Sequence, residues 1–453
     1  MAINIARRYL LVPALALSLL AGPASARGVA LIRDAEIETT IRTYSTPLFQ
    51  AAGIDPQAVE VLIVDDPSLN AFVAGGQKIF VHTGLLIATD TPNQLIGVIA
   101  HETGHIAGGH LARTHEAMRK ASAHSIIAFL LGGAAAIAGQ GGAAAAILTA
   151  GVTASHRQYL RYSRSQEAAA DQSALRTLEA TGQSASGLLV FIDKLGDQEL
   201  LVAESQDPYA RTHPLWAERA DALRSHYEGS RYRDATDSPQ YVALHARMKA
   251  KLVGYLKGLL QTLRRYPLSD TSLPARYARA VAYHRERQSD KAIGIVDGLL
   301  AEHPDDPYFH ELKGQILLES RRIDQAIPSY QRSVDLDGDN ALLRMGLGQA
   351  QVSAEGTEHV AAAIENLKIA TRIEPHSPGV WRWLAMAYGR DEQLALAALA
   401  TAERYVLLGR YRDAKLQATR ALKGLSKSSP AYLRALDLEG EAQHGIERKR
   451  KQQ

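Results

Sequence analysis

His101, Glu102 and His105 are the residues of this chain whose types and spacing could do chemistry together. On a helix the two histidines are separated by about 400° of rotation, so both imidazoles leave one face a turn apart, a spacing that suits one metal ion. Glu102 lies about 100° round from His101, close enough to reach a water on that ion without ligating it. The His-Glu-x-x-His string is the arrangement of hydrolytic zinc sites, with two neutral imidazoles on the metal and the glutamate as base. Chance also places this short string on ordinary helices with polar surface residues.

The surrounding residues specify a helix. Thr91-Pro92-Asn93-Gln94 supplies an N-cap, a proline at the first helical position and a capping-box glutamine, and Leu95, Ile96, Val98 and Ile99 give it a face to bury. Gly108-Gly109 weakens or ends it just past His105. A metzincin site needs a third histidine where Leu111 stands; His110 is about 140° away from His105 on a helix and reads as a polar helix-end residue.

A third ligand can instead come from a later helix. In the run Ser163-Arg164-Ser165-Gln166-Glu167-Ala168-Ala169-Ala170-Asp171, Glu167 and Asp171 share a face otherwise built of alanine, which lets another helix approach closely. Alone they read as a solvated acidic pair. Beside the first motif, Glu167 completes a His/His/Glu set, and Asp171 can accept the free ring N–H of a ligating histidine.

Hydrophobic residues make up 46% of the 453-residue chain and charged residues 22%, enough for two or three globular units and too apolar for disorder. There are no cysteines, which excludes disulfides, thiolate metal sites and a lipid-anchored N-terminal cysteine. Arg7-Arg8, the apolar run 9–20 and Ala24-Ser25-Ala26 form the three parts of a secretory signal peptide cleaved after Ala26; an uncleaved anchor is the alternative. Losing Arg7 and Arg8 takes the formal charge from +3 to +1, so no general attraction to nucleic acid follows.

Residues 27–55 read as a helix covering the catalytic region, and Val59–Val64 as a strand closed by Asp65-Asp66-Pro67-Ser68. Ala71–Val73, Gly75-Gly76 and Lys78–Val81 suggest a hairpin leading through Thr83-Gly84-Leu85-Leu86 to the histidine helix. A strand beside the metal can hold extended substrate by backbone hydrogen bonds, or be simply structural. Residues 126–152 are apolar and uncharged, but Gly139-Gln140-Gly141-Gly142 breaks them into halves too short for a bilayer of about 30 Å; they read as two short helices that pack beside the site or touch a membrane surface. In Thr212-His213-Pro214 the proline holds His213 in an extended loop backbone.

These motifs together, with Gly75-Gly76, Ile79-Phe80-Val81-His82-Thr83-Gly84-Leu85-Leu86 and His110-Leu111-Ala112-Arg113, resemble over residues 60–225 the BepA-type periplasmic zinc metalloproteases, relatives of the CAAX prenyl protease and HtpX group. The resemblance implies one zinc per chain held by His101, His105 and Glu167, with Glu102 as base. It implies that His213 can take the fourth zinc position and hold the enzyme latent. Arg219 matches a family arginine near the site and is either an oxyanion stabiliser or an ion-paired structural residue. No role follows for His82 or His110.

The C-terminal half repeats near 34 residues: Ala292 and Ala326, Gly314 and Gly348, and Asp290-Lys291-Ala292-Ile293 against Asp324-Gln325-Ala326-Ile327. About four tetratricopeptide-like repeats are expected from roughly 272 to 445, with an insertion at Glu355–Glu358, presenting a protein-binding face or a mere helical cap. Arg448–Lys451 reads as a frayed tail.

The expected architecture is mainly α: a signal peptide (1–26), a zincin-like α+β catalytic domain with a small sheet (27–265), an α-solenoid of helical hairpins (266–446) and a basic tail (447–453). The expected function is that of a periplasmic zinc endopeptidase that clips stalled or misfolded proteins in outer-membrane protein assembly, its repeats binding protein substrates or the assembly machinery. The competing reading is a non-catalytic, chaperone-like repeat scaffold with a latent zinc site.

Overall fold

A computed structural model of the chain describes residues 30–110, 163–196, 213 and 217–452. The expected signal peptide and the apolar stretch 126–152 lie outside the described residues. Among those described, no helix is long and apolar enough to cross a membrane.

The N-terminal region opens with β1 (Leu31–Ile32) and α1 (Ala35–Ala51). Expecting a helix throughout residues 27–55 was therefore too simple: Asp34 caps α1 by accepting from the Ile37 N–H, and the residues before the cap pair with a strand. β2 (Glu60–Val64), β3 (Ala71–Ala74) and β4 (Lys78–His82) complete a four-stranded sheet in the order β1-β2-β4-β3. β2 and β4 run parallel, whereas β3 and β4 form the expected hairpin, its turn made by Gly75 and Gly76 at φ +61° and +98°. These left-handed angles suit glycine.

α2 (Thr83–Ala88) leads into α3 (Pro92–Ala107), which carries the histidine motif. Thr91 caps α3 by accepting from the Gln94 N–H, and the Gln94 side chain reaches back to the Asp90 N–H. α4 covers residues 163–180, α5 is Ser186–Gly196, α6 is Ala217–Gly229 and α7 is Pro239–Leu256. One hydrophobic core unites α1 (Ile37, Tyr44, Phe49), the sheet (Ile63, Ile79, Val81), α3 (Leu95, Val98, Ile99), α4 (Leu175, Leu178), α5 (Leu188, Phe191) and α7 (Met248, Leu252). Two close approaches fix α3 within it. A Cβ on Gly97 would lie 2.8 Å from the Leu188 backbone nitrogen, and Asn93 bonds both the Gly187 N–H (2.7 Å) and the Ser184 carbonyl (2.9 Å), clipping the start of α5 to α3.

After α8 (Leu259–Arg265), helices pair as successive hairpins: α9 (Leu273–Arg285) with α10 (Ser289–Glu302), α11 (Pro307–Glu319) with α12 (Ile323–Leu336), α13 (Ala341–Ser353) with α14 (Val360–Ile373), and α15 (Pro378–Arg390) with α16 (Leu394–Leu407). A fifth pair, α17 (Tyr411–Gly424) and α18 (Pro430–Gln452), occupies the end of the span expected from roughly 272 to 445, one hairpin more than the count of about four. Arg287, Arg321, Gly356 and Glu392 share a left-handed backbone at the hairpin turns. Small residues admit bulky neighbours: the Tyr330 ring fills the space where Cβ atoms on Gly314 and Gly346 would stand. The expected frayed tail is instead helix, held where the Lys449 ammonium donates to the Gly409 carbonyl at 2.7 Å.

Candidate metal centre

The site forms because α4 can touch α3 almost backbone to backbone. Gly104 lies between Glu102 and His105, and a Cβ there would stand 2.6 Å from the Ala170 carbonyl oxygen and 2.9 Å from its Cα. Glu167, one turn before Ala170, and Asp171, next to it, are thereby carried over the two histidines.

Four donor atoms converge. His101 Nε2 lies 3.1 Å from His105 Nε2, 3.3 Å from His213 Nδ1 and 3.3 Å from Glu167 Oε2. Glu167 lies 3.4 Å from His105 Nε2 and 3.2 Å from His213 Nδ1. A tetrahedral ion about 2.0–2.1 Å from nitrogen and oxygen ligands sets edges of about 3.3–3.4 Å between them. The donor set therefore fits one small divalent cation, and His101, His105, Glu167 and His213 are a group able to hold it.

The remaining polar atoms orient these donors. Asp171 Oδ1 lies 2.8 Å from His101 Nδ1, which assigns the ring proton to Nδ1 and turns the Nε2 lone pair toward the cluster. Arg219 grips Asp171 with two hydrogen bonds, from Nε at 2.7 Å and Nη2 at 2.9 Å, and its Nη1 sits 3.0 Å from Glu167 Oε2. Arg219 thus stands in the ion-paired arrangement, holding the two acids in register. Burial lowers the pKa of His101, but Asp171 and Glu167 outweigh it and push it up to about 10; the position favours a positive charge, whether proton or metal ion. Burial raises Glu167, yet His213 and His101 hold it well below the usual carboxylate range.

Glu102 is different. It is fully buried, neither oxygen hydrogen-bonds to a described residue, and His213 Nε2 lies 3.5 Å from Oε1. Burial raises its pKa. A carboxylate left unbonded inside a protein costs stability, and a raised pKa suits a group that must take up and return a proton.

Comparison with known proteins agrees. The model of Peptidase family M48 matches residues 32–227. Over those residues the chain is similar to a peptidase family M48 domain. The chain is 26% identical over 398 residues to the Beta-barrel assembly-enhancing protease of Yersinia pestis, covering 85% of this chain and 79% of that one. It is 24% identical over 400 residues to the protein of the same name from Escherichia coli K12, covering 85% and 78%. The Metalloprotease LoiP of Escherichia coli K12 is 29% identical over 171 residues, 38% of this chain and 64% of LoiP. The chain is a metalloprotease.

All seven site residues expected from sequence and resemblance meet in one place: His101, Glu102, His105, Glu167, Asp171, His213 and Arg219. His82 does not join them; its Nδ1 lies 2.9 Å from Ser68 Oγ. His110 was read as a polar helix-end residue, but it is buried, with Nδ1 3.0 Å from His105 Nδ1.

Proposed function

We propose that this protein is a periplasmic zinc endopeptidase holding one zinc ion per chain, exported by the signal peptide 1–26, with catalytic residues in 27–265 and a repeat domain in 266–446. The observation that carries the reading is the convergence of His101, His105, Glu167 and His213 on one point, with buried Glu102, which bonds to no described residue, beside it. Bound zinc supplies Lewis-acid activation of a water nucleophile and of the scissile carbonyl. Glu102 takes the proton from the nucleophile and delivers it to the leaving amine. Asp171 holds the tautomer of His101, and Arg219 holds Asp171 and Glu167. β3, at the end of the sheet order, offers its main chain to an extended substrate.

His213 occupies a donor position that catalysis needs for water, so this side chain is a latency switch: its displacement frees both the ligand position and the face of Glu102. Protein substrates and partners dock on the solenoid, where a cavity of about 430 Å³ between β1–α1 and the repeats is lined by Arg33, Tyr255, Arg285, Glu311 and Tyr330. The names of the relatives support a role in assembling or clearing outer-membrane β-barrel proteins.

The test is cleavage of unfolded casein by purified wild type, Glu102→Gln and His213→Ala, with zinc quantified in each. The expected result is zinc retained in Glu102→Gln with turnover down by about 10²–10⁴-fold, and His213→Ala at least as active as wild type. Wild type and His213→Ala both inert with zinc bound supports the repeat scaffold instead.

A further inference from the structure

Each ligating imidazole has a second nitrogen, and the two helix-borne histidines place it differently. His101 sets Nδ1 against the Asp171 carboxylate. His105 sets Nδ1 against another imidazole, with 3.0 Å between His105 Nδ1 and His110 Nδ1 and the rings crossed at 81°. With His105 Nε2 turned to the donor cluster, its proton is on Nδ1. His110 Nδ1 is then the acceptor, which places the proton of a neutral His110 on Nε2.

The local chain is built to bring His110 there. α3 stops at Ala107, and the Gly109 N–H bonds the Ile106 carbonyl at φ +61°, folding the chain back across the helix end. A Cβ on Gly108 would overlap the His110 ring, so the absence of a side chain at 108 leaves the ring its place. Gln166 Nε2 donates to the His110 carbonyl at 3.1 Å, tying this turn to the residue before Glu167. His110 is 5% exposed.

We infer that His110 is a positioning residue, which accepts the His105 N–H and fixes the tautomer and ring angle with which His105 meets the metal. The inference rests on the zinc-site reading above. Losing such a partner typically costs about 10–100-fold in metal affinity. A second consequence separates positioning from packing: Gly108 matters only through the ring it accommodates.

The experiment measures zinc affinity of the full chain by chelator competition, and casein turnover, in His110→Ala, His110→Asn, Gly108→Ala and the Gly108→Ala/His110→Ala pair. His110→Ala is expected to weaken zinc binding about 10–100-fold and to lower kcat more than it changes KM. His110→Asn, whose Oδ1 can accept the same N–H, recovers most of the affinity. Gly108→Ala weakens binding when His110 is present and adds nothing when residue 110 is alanine. If His110→Ala fails to fold, His110→Asn and Gly108→Ala still decide. Wild-type affinity in His110→Ala, Asn as poor as Ala, or an equal Gly108→Ala effect with and without the imidazole overturns the inference alone. A wild type that binds no zinc overturns the proposed function and this inference with it.

Discussion

Two clusters of buried charge among the described residues can be set side by side, and their arrangements differ. Where α1 meets the solenoid, Lys251 sits 2.8 Å from Asp34, 3.4 Å from Glu36 and 3.5 Å from Glu311, while Arg247 reaches Glu36 at 2.7 Å and also pairs with Asp306. Tyr277 donates to Glu36 at 2.6 Å. Each cation there stands between acids and is consumed by them. In the metal centre the donors point at one another across 3.1–3.4 Å, and Arg219 lies to one side, spent on Asp171 and Glu167. Acids that radiate from a lysine make a joint; lone pairs that converge make a cation site. The joint ties residues far apart in sequence, and the centre works only if α3 and α4 stay in register.

The largest expected effect comes from disturbing that register. Gly104→Ala drives a methyl group against the Ala170 carbonyl, so α4 must withdraw and take Glu167 and Asp171 with it. The overpacking costs about 1–3 kcal/mol, and zinc content and casein turnover should both fall to background while circular dichroism still shows a folded chain.

Lys251→Met attacks the other cluster and should leave the centre alone. It strands buried acids at a cost of about 3–5 kcal/mol, visible as a lower denaturation midpoint, with zinc per folded chain unchanged. A loss of zinc there would mean that the two clusters are not separable.

A smaller effect follows pH. Burial raises Glu311, Lys251 opposes, Asp34 and Glu36 add to the rise, and the result is pushed up to about 7. A carboxylate raised on folding favours the folded state below its unfolded value, and that contribution is lost as pH rises through about 7. Glu311→Gln should therefore gain stability relative to wild type as pH goes from 5 to 8, at about 2–4 °C of Tm per kcal/mol. A constant difference across that range would refute the assignment.

The smallest effect is at the rim. Arg33 bonds Glu374 at 2.7 and 2.8 Å across the junction, yet it is about one-third exposed, so Arg33→Ala should cost no more than about 1 kcal/mol.

What the sequence revealed follows the range of the interactions. The histidine spacing, the Thr91-Pro92 start, the Gly75-Gly76 hairpin and the alanine face around Glu167 and Asp171 are local patterns, and each was legible. The parallel pairing of β2 with β4 and the strand at Leu31–Ile32 depend on partners beyond the reach of a local pattern, as in Glu60 with Lys78 and Leu31 with Val64. The junction cluster joins Glu36 to Lys251 and Tyr277 across more than two hundred positions, with no local period to announce it. His110 stood in plain view after two glycines, but only the left-handed turn at Gly109 brings its ring back over His105, where a straight helix would have carried it about 140° away. The fifth hairpin falls inside the span expected from roughly 272 to 445, but the count of about four came out one short because the regular spacing of helix starts at 273, 307 and 341 is lost after the insertion, at 378 and 411.

The most direct test of the metal centre is zinc stoichiometry in the purified full-length chain, measured for wild type beside Glu167→Ala. One zinc per wild-type chain, lost from a folded Glu167→Ala variant, is the predicted result. Wild type without zinc, or a variant that keeps its full complement, would contradict the claim that α3 and α4 together make the site.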